Sequence, residues 1–226
     1  MNRGPLIFVG ILLAMATSWS GLVFAPYLQL GNQQPSQPVG SLMPFYPVNP
    51  EGLAHQGAEV YRSLGCVHCH SQVVRGTAAD LQRWGIRRTV AADYLYDDPP
   101  LMGSLRIGPD LTNIGARQPD AKWHLAHLYQ PRSKVEKSVM PPYPFLFTKR
   151  KIQGAPSPGS LMAGTGFIEE GHEVLPTPEA EALVAYLLSR KVDVPLFEAP
   201  VPVSKKKAAT DGKDSGTNAP VVPTKS

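Results

Sequence analysis

Cys66-Val67-His68-Cys69-His70 gathers more reactive side chains into fewer residues than any other stretch of this chain. Its two thiols stand three positions apart, one turn of a helix, and an imidazole follows directly. Cys-x-x-Cys alone suits several chemistries, but the contiguous order Cys-x-x-Cys-His is the attachment sequence of a c-type haem. Cys66 and Cys69 would bond the two vinyl groups, and His70 would donate an imidazole nitrogen to the iron. A thioredoxin-like redox disulfide would need a βαβ setting that the sequence does not show. A zinc site built on Cys66, Cys69 and nearby histidines would need a second ligand pair further along, where no cysteine remains. Two cysteines in 226 residues give capacity for one covalent haem.

A haem that only carries electrons needs a sixth ligand, and a thioether opposite histidine raises its reduction potential. Met102, Met140 and Met162 follow the motif. Met140 stands in Ser138-Val139-Met140-Pro141-Pro142-Tyr143-Pro144, where prolines stiffen the loop. It also follows a helix predicted around Trp123 to Tyr129, the usual order in His/Met cytochromes. Met140 is therefore the leading axial candidate, with Met102 and Met162 as alternates. Gly108-Pro109-Asp110-Leu111 has the form of a Gly-Pro-x-Leu loop on the proximal side. The Pro109 carbonyl is the candidate acceptor for the His70 ring N–H, a bond that would fix the ligand's orientation; the alternative is a simple turn. Arg132 is read either as a propionate partner or as a solvated surface arginine. His124 and His127 lie three apart without a third metal ligand, so hydrogen bonding to a propionate or to a partner subunit is expected. His55 and His172 read as surface residues.

The expected fold is mainly α: an N-terminal transmembrane helix, then a class I-like (His/Met) cytochrome c domain with a long insert after the haem motif. Residues 1–27 form the anchor. Pro5 to Ala25 is an apolar run long enough for a ~30 Å hydrocarbon core, and no charge occurs between Arg3 and Glu51. A cleaved signal peptide is the alternative, but Pro26 follows the only small-residue cleavage box. Arg3 before the span predicts a cytoplasmic N-terminus and a haem domain in the periplasm, across the bacterial inner membrane. Residues 28–50 read as a Pro- and Gln-rich tether, and 51–195 as the haem domain, with its insert at 72–107. Gly57 and Tyr61 on its first helix match Leu183 and Tyr186 on its last, the pairing used where such domains cross these helices. The last helix starts at Thr177-Pro178-Glu179, an N-cap followed by proline at the first helical position. Arg190 and Lys191 close it with charges suited to the helix dipole.

Twenty-four prolines and twenty glycines imply many loops and a modest core. The net charge of +4 comes largely from lysines after residue 204, in a 196–226 segment that reads as a disordered Lys- and Pro-rich tail. No basic face interleaved with aromatics points to nucleic acid. No nucleophile–base pair and no phosphate loop points to catalysis by this chain itself.

The insert sharpens the picture. Gly65 to Gln72, Tyr96-Asp97 before Pro99, Gly103-Ser104 and Arg106 resemble the monohaem cytochrome c subunit (FixO-type) of cbb3-type cytochrome c oxidase. Gly108 to Leu111, Trp123-His124, Ala126 to Tyr129, Pro131-Arg132, Met140-Pro141 and Tyr143-Pro144 continue the resemblance in order. It implies a periplasmic electron carrier that serves the haem- and copper-containing catalytic subunit of a terminal oxidase. A further cytochrome c subunit or a soluble cytochrome would be the donor, the insert a docking surface and Met140 the distal ligand. It also implies that a calcium ion can sit where the two subunits meet; Ser104 lies in the matching stretch without being assigned as a ligand. The chain departs from the family at Arg75-Gly76-Thr77, Met102, Leu105 and Arg87-Arg88, which puts the partner contacts in question rather than the haem. The alternative function is a stand-alone, membrane-anchored cytochrome c that shuttles electrons in the periplasm.

Overall fold

The computed structural model describes residues 3–38, 40, 42, 45–50, 52–162 and 167–201. Of the expected 196–226 tail, residues 202–226 lie outside them. Helix α1 (Gly4–Trp19) and α2 (Ala25–Leu30) form one continuous helical run joined by a wide π turn at Ser20–Phe24. Pro26 does not end it. Proline lacks an N–H and its ring crowds the carbonyl four residues back. The π turn just upstream, where the Ala25 N–H donates to the Ser20 carbonyl, accommodates it. The run therefore reaches Leu30, past the expected boundary at 27. Its 27 residues extend ~40 Å and bury nothing against the rest of the chain. By length and composition it can cross a membrane.

The remainder is mainly helical. Helix α3 (Leu53–Ser63) leads to the haem motif, followed by α4 (Ala78–Arg83), α5 (Ile114–Arg117) and α6 (Ala121–Tyr129). Helix α7 (Pro178–Ser189) closes the domain, and its N-cap Thr177 accepts from the Ala180 N–H. The core is organised around α7, on which α3, α5 and α6 all pack. The α3 crossing is close because Gly57 has no side chain: a Cβ there would overlap the Ala182 carbonyl and press on Tyr186. Tyr61 and Tyr186 fill the space beside it, with ring centroids 5.4 Å apart, and Leu183 is fully buried there. At the end of α7, Arg190 turns inward, is buried, and pairs with Asp97 at 3.1 Å.

Three features were not expected. Strands β1 (Phe147–Lys151), β2 (Leu161–Met162) and β3 (His172–Pro176) form a small antiparallel sheet in the order β1-β3-β2. Phe147 pairs with Pro176 and Lys151 with His172. Within it the Glu173 carboxylate accepts from the Ser157 N–H and from Arg150 (2.7 and 2.8 Å), which hold its pKa down to about 2. Second, the 28–50 segment is no free tether: Tyr46 is buried and donates its hydroxyl to Asp93 at 2.8 Å. Third, order extends past 195, since Leu196 and Ala199 are buried in a small cluster with Tyr46 and Val90.

That cluster covers a buried ion pair within residues 72–107. Arg87 and Asp93 have fully buried side chains and bond through two N–H···O contacts of 3.0 and 2.8 Å. Arg87 Nε also donates to the Val194 carbonyl, and its guanidinium lies over the Tyr46 ring. Three stretches distant in sequence, around Tyr46, Asp93 and Val194, meet at this one side chain. Breaking a buried pair from one side leaves an uncompensated charge, typically at a cost of about 3–5 kcal/mol. Arg87→Met should therefore lower stability by that order, with much of the loss recovered in Arg87→Met/Asp93→Leu. Thermal unfolding of the full chain in detergent measures both.

Candidate haem site

Helix α3 ends at Ser63, and Gly65, with a φ of 71°, reverses the chain into the motif. Cys66–His68 form a single 3₁₀ turn, and the Cys69 and His70 N–H groups both donate to the Cys66 carbonyl. Local backbone bonding thus puts the two thiols one turn apart. Both cysteines are free and half-buried. Burial pushes the Cys66 thiol up to about 11, the opposite of the lowered value that marks a redox-active thiol. No group of three or more His, Cys, Asp or Glu side chains suited to a metal assembles among the described residues.

His70 Nδ1 lies 2.7 Å from the Pro109 carbonyl oxygen. With the ring N–H donated there, Nε2 keeps its lone pair free for coordination. Burial also pushes the His70 pKa down, which favours the neutral ring. Gly108 makes this approach sterically feasible, because a Cβ at that position would overlap the imidazole. Gly103 plays a parallel part with φ 68°, its Cα facing the His70 and Val67 carbonyls.

Pro109 is held in register by Asp110. The Asp110 carboxylate is fully buried and accepts from Ser71 Oγ (2.7 Å), the Val73 N–H (2.8 Å) and the Thr112 N–H (2.9 Å). Backbone bonds from Gly108 to Cys69 and from Leu111 to Ser71 run alongside. Arg106 adds a second brace: Nε donates to Ser71 Oγ, and Nη1 and Nη2 donate to the Asp80 carboxylate at 2.8 and 2.9 Å. Those bonds to Arg106 hold the Asp80 carboxyl below the usual range. Sequence reading missed Ser71, Asp80 and Arg106 as positioning groups. A signal existed in Thr77-Ala78-Ala79-Asp80, a helix-start pattern, and Thr77 does cap α4 by accepting from the Asp80 N–H.

On the other side, α6 starts at its N-cap Asp120 and runs into a loop that returns to it. The Tyr143 N–H donates to the Leu128 carbonyl at 2.9 Å, closing the loop three residues after Met140. Met140 is half-buried and packs on the main core alongside Cys66, Val67 and Tyr143. Met102, by contrast, is 45% exposed and contributes its carbonyl to the Gln72 N–H. Met162 lies in β2, across from Glu173. Arg132 is exposed and reaches the Ser138 carbonyl at 3.4 Å, on the same loop as Met140. His124 is buried and donates Nε2–H to the Gln118 carbonyl at 2.8 Å. His127 stacks on Trp123 with ring centroids 4.8 Å apart. His55 is exposed, as expected, whereas His172 is half-buried in β3.

The family described as cytochrome c oxidase, mono-heme subunit/FixO, matches residues 1–157. The chain belongs to that family and is thus a single-haem, electron-transfer subunit of a cytochrome c oxidase complex, with the catalytic subunit as its partner. No curated protein matches the chain.

The Asp110 clamp has a measurable consequence. Asp110→Asn would turn one acceptor oxygen into a donor facing the Ser71 hydroxyl and the Val73 N–H. The expected loss is about 2–3 kcal/mol, the cost of stranding buried polar groups, read as a lower denaturant midpoint for the full chain.

Proposed function

We propose that this chain carries one covalent haem c, bonded through Cys66 and Cys69 and ligated by His70 and Met140. In this reading it feeds electrons to the catalytic subunit of a membrane haem-copper oxidase. The observation that carries the assignment is the His70–Pro109 hydrogen bond of 2.7 Å, which leaves Nε2 beside two free thiols one turn apart. The residues suit the group in other ways. Gly108 and Gly103 leave room against the motif, and the half-buried Met140 sits on a loop stiffened by proline and tied back to α6. When bound, the haem supplies a reversible ferric–ferrous couple, and a His/Met ligand pair raises its potential.

The protein residues orient and insulate. Asp110 and Arg106 hold the Gly108–Leu111 loop so that Pro109 accepts from His70, which keeps the ring from rotating and makes it a better donor. Arg132, on the Met140 loop, is the candidate propionate partner. The domain organisation proposed is a class I-like His/Met cytochrome c domain with an insert at 72–107. The helical run to Leu30 would anchor it in the bacterial inner membrane, with the N-terminus cytoplasmic and the haem domain periplasmic. The outer face of the insert, where Met102, Leu105 and Ile107 are exposed, would dock on the catalytic subunit, and a second cytochrome would supply the electrons. No calcium ligand is assigned, although Ser104 is exposed beside that face.

Met140→Ala tests the ligand set. The reduction potential should fall by on the order of 0.1 V, within the ~0.8 V range that axial ligands control, and the ferrous protein should gain carbon monoxide binding. An unchanged potential and spectrum would remove Met140 from the assignment. The partner claim is tested by capturing the native chain from membranes in mild detergent. High-spin haem b, copper and oxygen uptake should co-purify with it. A lone low-spin haem c, under conditions that keep oxidases intact, would favour the anchored shuttle.

A further inference from the structure

The residue that accepts the His70 hydrogen bond is itself at the surface. Pro109 is exposed, and its carbonyl oxygen lies 2.7 Å from His70 Nδ1. One hydrogen bond therefore separates the imidazole of the haem motif from the outside of the protein. The point is rigid as well as exposed. Asp110, the next residue, is fully buried and held by Ser71, Val73 and Thr112.

Gly108 and Pro109 line an open concavity of about 400 Å³, with Arg83, Trp84 and Ile107 around them. Neither the motif cysteines nor His70 nor Met140 lines it, so it is a separate surface from the haem-binding groups. Its apolar ground is Pro109, Trp84 and Ile107, the last 62% exposed. Trp84 is half-buried, and the Arg117 and Arg83 guanidiniums lie over its ring, 5.0 and 6.0 Å from the centroid. The charges are unequal. Asp80 and Arg106, which also line the concavity, neutralise each other. Arg83 is exposed and joins no ion pair among the described residues, so the concavity carries one uncompensated cation.

We propose that this concavity is where the electron leaves the chain. The catalytic subunit seats an apolar side chain against Pro109, Trp84 and Ile107, and a carboxylate beside it pairs with Arg83. This rests on the His70 ligation and the oxidase partnership set out above. In the step itself, ferrous haem in this chain is oxidised to ferric and a ferric haem of the catalytic subunit is reduced. One electron crosses, no proton moves and no covalent bond changes. Electron tunnelling decays far more steeply across an empty gap than along bonds, hydrogen bonds included. A partner touching Pro109 therefore gains a short connected route to His70. The apolar contact excludes water at the centre, and the Arg83 cation at the rim sets orientation and partner choice.

The test uses the haem-loaded full chain in its native complex, extracted in mild detergent. Ile107→p-benzoylphenylalanine places a photo-crosslinker in the concavity. Val139→p-benzoylphenylalanine places one beside Met140, at a residue 75% exposed. Irradiation should join the catalytic subunit to the Ile107 variant and leave the Val139 variant free of it. Capture at Val139 rather than Ile107, or at neither, overturns the proposal. Arg83→Glu then reads the route. Electron transfer from haem c to the catalytic subunit, followed after flash reduction, should slow about tenfold, equivalent to ~1.4 kcal/mol of docking energy. Haem content and reduction potential should stay at wild-type values, and Arg83→Lys, which keeps the charge, should restore the rate. A wild-type transfer rate in Arg83→Glu overturns the proposal. A wild-type chain without a low-spin haem c spectrum overturns it together with the ligation beneath it, whereas a normal spectrum with capture elsewhere overturns this proposal alone.

Discussion

The geometry of the site depends on one buried carboxylate. Asp110 accepts hydrogen bonds from Ser71, Val73 and Thr112, and through them joins the segment after the haem motif to the loop that carries Pro109. These two segments are almost forty residues apart in sequence, so nothing local fixes their register. A carboxylate has lone pairs for several donors at once, and in a dry setting each bond is worth more than in water. Asp110 is also adjacent to Pro109, so any displacement of the clamp would move the carbonyl that His70 uses. Arg106 then ties the clamp to α4 through Asp80, and the insert becomes part of the site's support.

That arrangement bears on the 72–107 stretch. A stretch so poor in regular structure could be a loose flap that orders only on binding. Here the 72–107 stretch is braced internally by Arg106–Asp80 and Arg87–Asp93, and Asp97 fastens it to Arg190 at the end of α7. Gln72 reinforces the junction with the core, its side-chain oxygen accepting from the Tyr186 hydroxyl and its carbonyl from Tyr94. Ion pairs of this kind add little net stability, because desolvation offsets the attraction. Their effect is specificity, because a buried guanidinium with a fork of donors accepts few alternative packings. A partner that meets the outer face therefore meets a rigid surface, which suits fixed electron-transfer distances.

The parts of the molecule that could be read from sequence are those set by local chemistry. The motif, the Gly108–Leu111 loop and the cap at Thr177 each have a pattern shorter than two helical turns, and the apolar run from Pro5 is unbroken in sequence. Gly57 with Tyr186 was legible too, because a glycine facing an aromatic is a strong steric signature. Arg87 was not. No local pattern marks it as buried, and its partners Asp93, Tyr46 and Val194 come from three separate regions. The small sheet was hidden for another reason. In Phe147–Lys151 only Phe147 is buried, so the period-two alternation that betrays a strand is absent.

The Tyr46 contact also bears on how far the domain can travel from its helix. Ser36 and Tyr46 exchange backbone hydrogen bonds of 2.9 Å in each direction, and Tyr46 is fastened to Asp93. The chain left free between Leu30 and Ser36 is six Cα–Cα steps, which spans roughly 20 Å at most. A tether of twenty flexible residues would instead let the domain sample a wide volume and visit several acceptors. With the helix in a membrane, the short free length would keep the motif near one place above the surface. That restriction would hinder a carrier that must find separate donors and acceptors. It suits a subunit whose acceptor is permanently beside it, and it aligns the segment before the domain with the same function as the insert behind it.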